Sequence, residues 1–268
     1  TDNCAVTNLT STPPSGSAFP VGVTVVTNRA TDASGNSSSC TFTVTVLDPQ
    51  NPVITCPTNL VLTADPGRCS RSNVIFTVSA TDNCSVTNLA SSPPSGSTFP
   101  VGTTTVTNTA TDASGNKASC TFTVTVTDNE APVISCPSNL VLATDAGRCN
   151  RSNVTYVVNA TDNCSVTNLV TTPPSGSAFP VGTTTVTNFA TDASGNTSTC
   201  TFTVTITDNQ NPVITCSSNL VLAADAGRCS RSNVTFTVSA SDNCSVTNLV
   251  SSLPSGSTFL VGVTTVTN

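Results

Sequence analysis

Several side chains on which enzymes and metalloproteins depend are missing from this sequence. Its 268 residues include no histidine, methionine or tryptophan and a single tyrosine. The lack of histidine removes the commonest general base and the commonest metal ligand. A serine or cysteine nucleophile would therefore have no histidine partner. We predict that the chain is not an enzyme.

Charged residues and long apolar runs are scarce as well. The chain has 8 lysines and arginines against 14 aspartates and glutamates, a net charge of −6, and this sign argues against a nucleic-acid partner. No apolar run approaches the roughly 18 residues of a membrane span, so we expect no membrane insertion. No CxxC or CxH spacing indicates zinc, and the glycines follow turn motifs rather than a phosphate-binding loop.

What the sequence does contain is an internal repeat. One cysteine recurs every 80 residues without an insertion, at Cys4, Cys84, Cys164 and Cys244. This interval predicts four segments. They are the back half of a repeat in 1–48, complete repeats in 49–128 and 129–208, and the front part of a repeat in 209–268.

Each repeat has the pattern of a β-module. Residues 121–126 alternate between apolar residues on one face and threonines on the other, and a period of two is typical of a half-buried strand. Residues 112–116 have the composition of a tight turn. No segment has a helical period. We predict an all-β chain of immunoglobulin-like sandwiches with roughly six or seven strands per repeat, one of them over residues 74–80.

The motifs resemble the hyalin repeat (HYR) family over the whole chain. Their order is DNC, PPSGS, FPVG, TTTVTN, ATDASGN, CTFTVTVTD and PVI-x-CP. Departures are local, because Leu253, Leu260 and Ser217 replace prolines near turns. Members of this family are extracellular immunoglobulin-like modules that occur in tandem. The resemblance implies a linear rod with an adhesive or structural role and no catalysis.

A second resemblance concerns the boundary between repeats. Cadherins, which are also tandem immunoglobulin-like modules, carry an acidic D-N-x-P sequence between domains, where it binds calcium. Residues 128–132, Asp-Asn-Glu-Ala-Pro, are similar. The resemblance therefore implies calcium at this boundary.

The positions of the acidic residues support the same prediction. Eleven of the 14 lie in three motifs, which are the boundary sequence, the TDN block and the ATDASGN turn. In an immunoglobulin-like topology these motifs meet at one end of a domain, where their oxygens suit calcium. The alternative is that they only form Asx-turns. The predicted calcium ligands are Asp48, Asp82, Asn83, Asp112, Asp128, Asn129, Glu130, Asp162, Asn163, Asp192, Asp208, Asn209 and Asp242.

The other three aspartates, Asp65, Asp145 and Asp225, each begin a D-x-G-R loop. Most of the positive charge lies in these loops, which should occupy the opposite end of each domain. Repeats could then stack with an acidic end against a basic end. The alternative, which the sequence favours, is a local ion pair on the surface that contributes little stability.

Thirteen cysteines in such small domains indicate an oxidising, extracellular environment. We predict the disulfides Cys56–Cys120 and Cys136–Cys200, because both members lie near the acidic end of adjacent strands. Two pairings of the remaining cysteines stay open. One joins cysteines of the same repeat, as Cys69–Cys84, Cys149–Cys164 and Cys229–Cys244, although a strand of roughly 20 Å separates them at about 3.3 Å per residue. The other joins Cys69 to Cys164 of the next repeat.

The outward strand faces are rich in threonine and serine, and N-x-S/T sequons occur, including those at Asn153 and Asn233. These features predict a carrier of covalent glycans.

Two function classes remain. The first is an extracellular structural protein whose partners are copies of itself in a filament. The second is a cell-surface adhesin rod that binds a receptor or carbohydrate through its loops. The near-identity of the repeats favours the first, because a recognition site usually requires one repeat to differ.

The two ends of the chain occupy the same phase of the repeat, in residues 1–28 and 241–268. Cys40 and Cys216 consequently lack their predicted partners. Either the sequence is a window of a longer repetitive polypeptide, or neighbouring subunits complete each other by exchanging strands. The overlap of 28 residues favours the window, because both partners would bring the same segment to one domain.

Overall fold

The computed structural model describes residues 5–268, which form strands, turns and irregular segments without a helix. Within these residues there is accordingly no helix long and apolar enough to cross a bilayer. The chain divides into two compact units, Thr1–Asn129 and Glu130–Asn268.

The first unit contains an isolated three-stranded sheet and one complete repeat. Its strands are β1 (Val6–Thr12), β2 (Gly22–Asp32), β3 (Ser37–Val46), β4 (Val53–Thr55), β5 (Leu60–Thr63), β6 (Ser70–Val74), β7 (Ser79–Thr81), β8 (Val86–Ser92), β9 (Ser97–Pro100), β10 (Gly102–Asp112) and β11 (Lys117–Thr127). The order β1-β2-β3 is antiparallel. The complete repeat has a sheet of order β5-β11-β10-β8, in which only β5 and β11 are parallel, and two antiparallel pairs, β4–β7 and β6–β9.

The second unit repeats this topology and then begins it again. Its strands are β12 (Val133–Ser135), β13 (Leu140–Ala143), β14 (Asn150–Val154), β15 (Asn159–Thr161), β16 (Val166–Thr172), β17 (Ser177–Pro180), β18 (Gly182–Asp192), β19 (Thr197–Thr207), β20 (Val213–Thr215), β21 (Ser230–Val234), β22 (Ser239–Ser241) and β23 (Ser257–Leu260). A sheet of order β13-β19-β18-β16 accompanies the pairs β12–β15 and β14–β17. The last four strands form the pairs β20–β22 and β21–β23.

The core explains why each complete repeat is a sandwich. Phe122, Val124 and Val126 project from β11 into a buried cluster that also contains Val74 of β6 and Phe99 of β9. The short pairs therefore cover the inner face of the four-stranded sheet. Full burial of such side chains stabilises the fold by about 1.5–3 kcal/mol each. The predicted all-β, immunoglobulin-like sandwich is confirmed.

The expected single strand over residues 74–80 is wrong. β6 ends at Val74 and pairs with β9, whereas β7 begins at Ser79 and pairs with β4. The backbone bends before this change of partner, because Asn73 has a φ of 52°. Each complete repeat consequently has eight strands. Local alternation predicts extended residues but does not specify the strand with which they pair.

Candidate metal centre

Three carboxylates meet at one end of the complete repeat in the first unit. Asp48 follows β3, Asp82 follows β7 and Asp112 ends β10, and one oxygen from each lies within 4.8 Å of the others. The three come from the boundary sequence, the TDN block and the ATDASGN turn. Within this repeat the structure therefore brings together the three motifs that the sequence analysis places at one end.

Asp112 is held by the turn that it begins. Its Oδ1 accepts hydrogen bonds from the backbone N–H groups of Ser114 (2.9 Å) and Asn116 (2.8 Å), and its Oδ2 accepts one from Asn116 Nδ2 (2.8 Å). Asn116 Nδ2 also donates to the carbonyl oxygen of Asp48 (2.9 Å). This is an Asx-turn, and it fixes Asp112 beside Asp48. Calcium binding by Asp112 stays a prediction.

Asp48 has the most constrained carboxylate of the three. Its side chain is 8% exposed, and Oδ1 accepts hydrogen bonds from Asn83 Nδ2 and from the Gln50 N–H group, both at 3.2 Å. The Asn83 amide is the main reason that the pKa of this carboxyl lies below its ordinary value. Oδ2 is buried and accepts no hydrogen bond from the described chain. A buried, ionised oxygen without a partner is costly, and a cation would satisfy it.

The corresponding end of the last repeat has two carboxylates. Asp208 Oδ1 accepts hydrogen bonds from the Gln210 N–H group and from Asn243 Nδ2, both at 3.1 Å. Asp242 lies close by, together with the sulfur of Cys244. That sulfur is bonded to Cys149 and is therefore no thiolate ligand. The arrangement offers fewer hard ligands than the set around Asp48.

The remaining predicted ligands are distributed over both units. Asp128 is buried at the end of the first unit. In the second unit, Asp162 Oδ2 accepts a hydrogen bond from the Cys164 N–H group (2.8 Å), while its Oδ1 is buried and accepts none. Asp192 forms the same Asx-turn as Asp112. The other members of the predicted set are Asn129, Glu130 and Asn209, which are exposed, and Asn163, which is partly buried.

A D-x-G-R loop lies against the acidic end of the last repeat. Gln210 Oε1 accepts a hydrogen bond from the Gly147 N–H group (3.0 Å), and Gln210 Nε2 donates to the Asp145 carbonyl oxygen (3.1 Å). Asn243 Nδ2 donates to the Arg148 carbonyl oxygen (2.9 Å). We call this set of contacts, together with the Cys149–Cys244 disulfide, the junction. No sequence motif singled out Gln210, although Gln50 and Glu130 lie at the same phase of the repeat.

The arginines of these loops pair locally. Arg71 lies 3.2 Å from Asp65, Arg151 lies 3.3 Å from Asp145, and Arg231 lies 3.2 Å from Asp225. In the second unit the loop and the following acidic end meet through amide and carbonyl groups rather than through these ion pairs. The local ion pair that the sequence favours is therefore present.

A family model described as HYR domain matches residues 1–46, 47–126, 127–206 and 207–268. The chain belongs to the HYR family. It is 40% identical over 281 residues to hyalin of Strongylocentrotus purpuratus and 37% identical over 279 residues to hyalin of Lytechinus variegatus. These alignments cover 99% and 100% of this HYR chain but 23% and 53% of the two hyalins. It is also 32% identical over 163 residues to the serine-rich adhesin for platelets of Staphylococcus aureus (strain MSSA476), covering 51% of this chain and 7% of the adhesin.

The HYR repeats contain two kinds of disulfide. Cys56–Cys120 and Cys136–Cys200, the two pairs predicted from the sequence, are formed and join the first strand region of a repeat to its last strand. Cys149–Cys244 instead joins a D-x-G-R loop to the following HYR repeat.

The pairing of cysteines within one repeat, as Cys69–Cys84, Cys149–Cys164 and Cys229–Cys244, is wrong. Cys84 and Cys229 are free thiols, and Cys149 bonds to Cys244. Cys69 and Cys164 are also disulfide-bonded. The physical reason is that two strands, β6 and β7, lie between the D-x-G-R loop and the TDN block of one HYR repeat.

The predicted glycosylation sites lie at equivalent positions of two HYR repeats. Asn153 in β14 and Asn233 in β21 are exposed and have a φ of 52° at a break in strand register. Glycosylation at these asparagines stays a prediction.

Proposed function

We propose that the chain is part of an extracellular structural filament of tandem HYR repeats, stiffened by calcium at the acidic ends of the repeats. The junction in the second unit is the observation that carries this proposal. One disulfide and three hydrogen bonds fix the loop 145–149 to the next repeat. Contacts of this kind restrict rotation of one repeat against the next, which a stiff filament requires.

Calcium is supported by the chemistry of the Asp48 cluster. Three carboxylates come within 4.8 Å of one another, and two of them are more than nine-tenths buried. Without a cation their mutual repulsion and desolvation would be unfavourable. Calcium accepts six to eight hard oxygen ligands in flexible geometry. Asp48 Oδ2, Asp82 and Asp112 would hold it, and nearby carbonyl oxygens and water would complete its shell.

The repetition of the sequence extends the proposal to the other repeats. Asp128, Asp162 and Asp192 occupy the phase of Asp48, Asp82 and Asp112, and Asp208 and Asp242 occupy the first two positions in the last repeat. The amides next to them, such as Asn83, orient the carboxylates. In this proposal calcium has no catalytic role, and its effect is to fix the loops that meet the neighbouring repeat.

An extracellular location, secreted or at the cell surface, is supported by the disulfides, which persist in oxidising compartments. The likeness to two hyalins over the whole chain supports a structural or adhesive role. Copies of the same chain are the proposed partners, and covalent glycans at Asn153 and Asn233 belong to the same proposal.

A cell-surface adhesin that binds a receptor or a carbohydrate is the second candidate. It is favoured by the likeness to the serine-rich adhesin for platelets over 163 residues. Against it stands the near-identity of the loops from one repeat to the next, which leaves no loop set apart for recognition.

Calorimetric titration with calcium tests the metal centre. Asp82→Asn removes one ligand charge from the cluster, and we expect it to weaken one calcium site at least tenfold, or about 1.4 kcal/mol. Asp65→Asn is the matched control, because it removes an equal charge from the D-x-G-R loop of the same repeat. Absence of calcium binding by the unmodified chain at millimolar calcium, or equal losses in both variants, would contradict the proposal.

A further inference from the structure

The sheet β13-β19-β18-β16 has an outer face that lies away from the buried core. Successive side chains of a strand point to opposite sides, and cross-strand partners share one side. The outer face therefore consists of every second residue of 183–191 in β18 and of 197–207 in β19, with Val141 and Ala143 of β13 and Asn168, Val170 and Thr172 of β16. Eleven of these sixteen residues are threonines, so we call this surface the threonine face.

None of the sixteen described residues of the threonine face is charged. The equivalent faces of the sheets β1-β2-β3 and β5-β11-β10-β8 each carry a cation. Arg29 in β2 occupies the position of Phe189, and Lys117 in β11 occupies the position of Thr197. Charged side chains on a surface in water keep a protein from associating. The threonine face is therefore distinguished from the other two by what it lacks.

Phe189 and Val170 form an apolar centre on the threonine face. They are direct cross-strand partners in β18 and β16, and they are 40% and 45% exposed. Their equivalents in the preceding repeat are Thr109 and Ala90. An exposed aromatic ring within an uncharged surface has the composition of an interface core rather than that of a solvated sheet.

Threonine suits such a surface because its side chain is already ordered before it binds. It is β-branched and therefore stiff at χ1. The cross-strand pair Thr183 and Thr205 is joined by a hydrogen bond of 3.0 Å between the two hydroxyl oxygens. The long side chains whose ordering costs most, such as lysine, arginine, glutamate and methionine, do not occur among the described residues of this face. Association through the threonine face thus loses little conformational entropy.

The size of the face predicts a small but specific contact. Its strands have 4, 11, 11 and 7 residues. With about 3.4 Å per residue and about 4.8 Å between strands, they span roughly 540 Å². Two such faces in contact would bury roughly 1,100 Å², just above the area of about 1,000 Å² that a biological interface needs. An interface of this size suits reversible association, which many repeats in one filament would reinforce.

We infer that the threonine face binds the same face of a second copy of this chain. The contact is isologous, and its two-fold axis passes beside Phe189, so that the Phe189 and Val170 side chains of the two copies meet. A neutral surface complements itself, whereas a charged partner would lose its water without gaining an ion pair. This inference rests on the proposed association of copies and deepens it, because it names the surface that joins filaments side by side.

The threonine face leaves the junction and the acidic ends free. None of its described residues belongs to the loop 145–149 or is Gln210 or Asn243, and none is a predicted calcium ligand. Asn168, the only asparagine among its described residues, precedes Leu-Val and is no N-x-S/T sequon. The junction and this lateral contact can therefore form in the same assembly.

Sedimentation equilibrium of the full chain tests the inference. The protein is kept oxidised with its free thiols alkylated, so that no new disulfide joins two copies, and a calcium chelator is present. We expect a reversible equilibrium of monomer and dimer with a dissociation constant of about 10 μM. A chain that stays monomeric up to about 1 mM would overturn the inference. So would a monomer that binds a neutral polysaccharide such as dextran and loses this binding in Phe189→Lys.

Charge variants locate the contact. Phe189→Lys and Phe189→Glu each place two like charges beside the two-fold axis and should weaken the dimer at least tenfold. Val157→Lys is the matched control, because Val157 is 72% exposed and lies between β14 and β15, in the layer that covers the inner face of the sheet. It should leave the dissociation constant unchanged. Equal effects of Phe189→Lys and Val157→Lys would overturn docking through the threonine face.

A mixture of variants tests the two-fold symmetry. Phe189→Lys and Phe189→Glu copies repel copies of their own kind but attract each other, so an equimolar mixture should associate at least tenfold more tightly than either variant alone. A mixture as weak as its components would overturn the isologous contact at Phe189. The chelator separates this inference from the calcium centre. Calcium binding without dimers would refute the threonine face alone, and dimers without calcium binding would refute the calcium centre alone.

Discussion

The same acidic end occurs twice in two different situations. In the part of the first unit that the structure describes, Asn83 donates to Asp48 and to the neighbouring sulfur, and Cys84 is a free thiol. In the last repeat, Asn243 donates to Asp208 and also to a carbonyl oxygen of the preceding repeat, and Cys244 is disulfide-bonded. The Gln, Asp, Asn and Cys of the two ends are the same residue types. Among the described residues, a D-x-G-R loop lies beside the second of these ends and not beside the first.

The difference indicates that a neighbouring HYR repeat supplies contacts that the acidic end does not form by itself. The Asx-turn of Asp112 forms from residues two and four positions away, and it therefore needs no second repeat. The junction contacts need residues 95 positions apart in the sequence. The acidic end of the first unit thus forms without a docked loop, through contacts among residues 48–116 such as Asn83–Asp48 and Asn116–Asp48.

The largest expected effect comes from removing the junction disulfide. Cys149→Ser with Cys244→Ser should lower the free energy of unfolding of the second unit by about 5 kcal/mol, because the bond closes a long loop. Cys84→Ser, the same change at the end without a docked loop, should alter it by less than about 0.5 kcal/mol. Urea unfolding measures both, and equal effects would show that the two ends do not differ.

Two equivalent phenylalanines sharpen the comparison in the core. Phe202→Ala should destabilise the chain by about 4 kcal/mol, because it leaves a cavity in a packed cluster. Phe42→Ala should cost less than about 1 kcal/mol, because Phe42 is already half exposed. Denaturation of the two variants at low protein concentration, where copies do not associate, is the measurement. A large loss of stability in Phe42→Ala would contradict the exposure of the Phe42 side chain.

The two glutamines probe the junction without a covalent change. Gln210→Ala removes hydrogen bonds to the docked loop and should cost about 1–2 kcal/mol. Gln50→Ala removes none and should be neutral. Hydrogen exchange of the Gly147 amide, which donates to Gln210, should accelerate only in the first variant. Unchanged exchange there would mean that the loop is held by the disulfide alone.

The smallest effect is a dependence on acid. The pKa values of Asp65, Asp145 and Asp225 lie below the ordinary value, chiefly because serine hydroxyls donate to them. Because these pKa values are lowered on folding, the ionised carboxylates stabilise the folded state above about pH 4. This stabilisation is lost as the pH falls through the pKa of the folded state. The melting temperature should fall less in Ser72→Ala than in the unmodified chain as the pH is lowered from about 6 to about 2. An equal fall would assign the acid sensitivity to other carboxylates.

Much of the fold could be predicted from the sequence, because period-two alternation in residues 121–126 and the turn at residues 112–116 depend on local chemistry. The end of β6 at Val74 could not be predicted, because it arises when the chain changes its pairing partner from β9 to β4. The convergence of Asp48, Asp82 and Asp112 required only the topology. A disulfide to the next repeat was one of two pairings that the sequence left open, and the Cys149–Cys244 bond is of that kind. The role of Gln210 depended on contacts between repeats, which no local pattern specifies.

The central claim is that calcium at the acidic ends stiffens tandem HYR repeats. Small-angle scattering and thermal melting of the same chain, with calcium and then with a chelator, test it most directly. The account predicts a shorter maximum dimension and a lower melting temperature when calcium is removed, with full recovery on its return. A maximum dimension and a melting temperature that are both unchanged would contradict it.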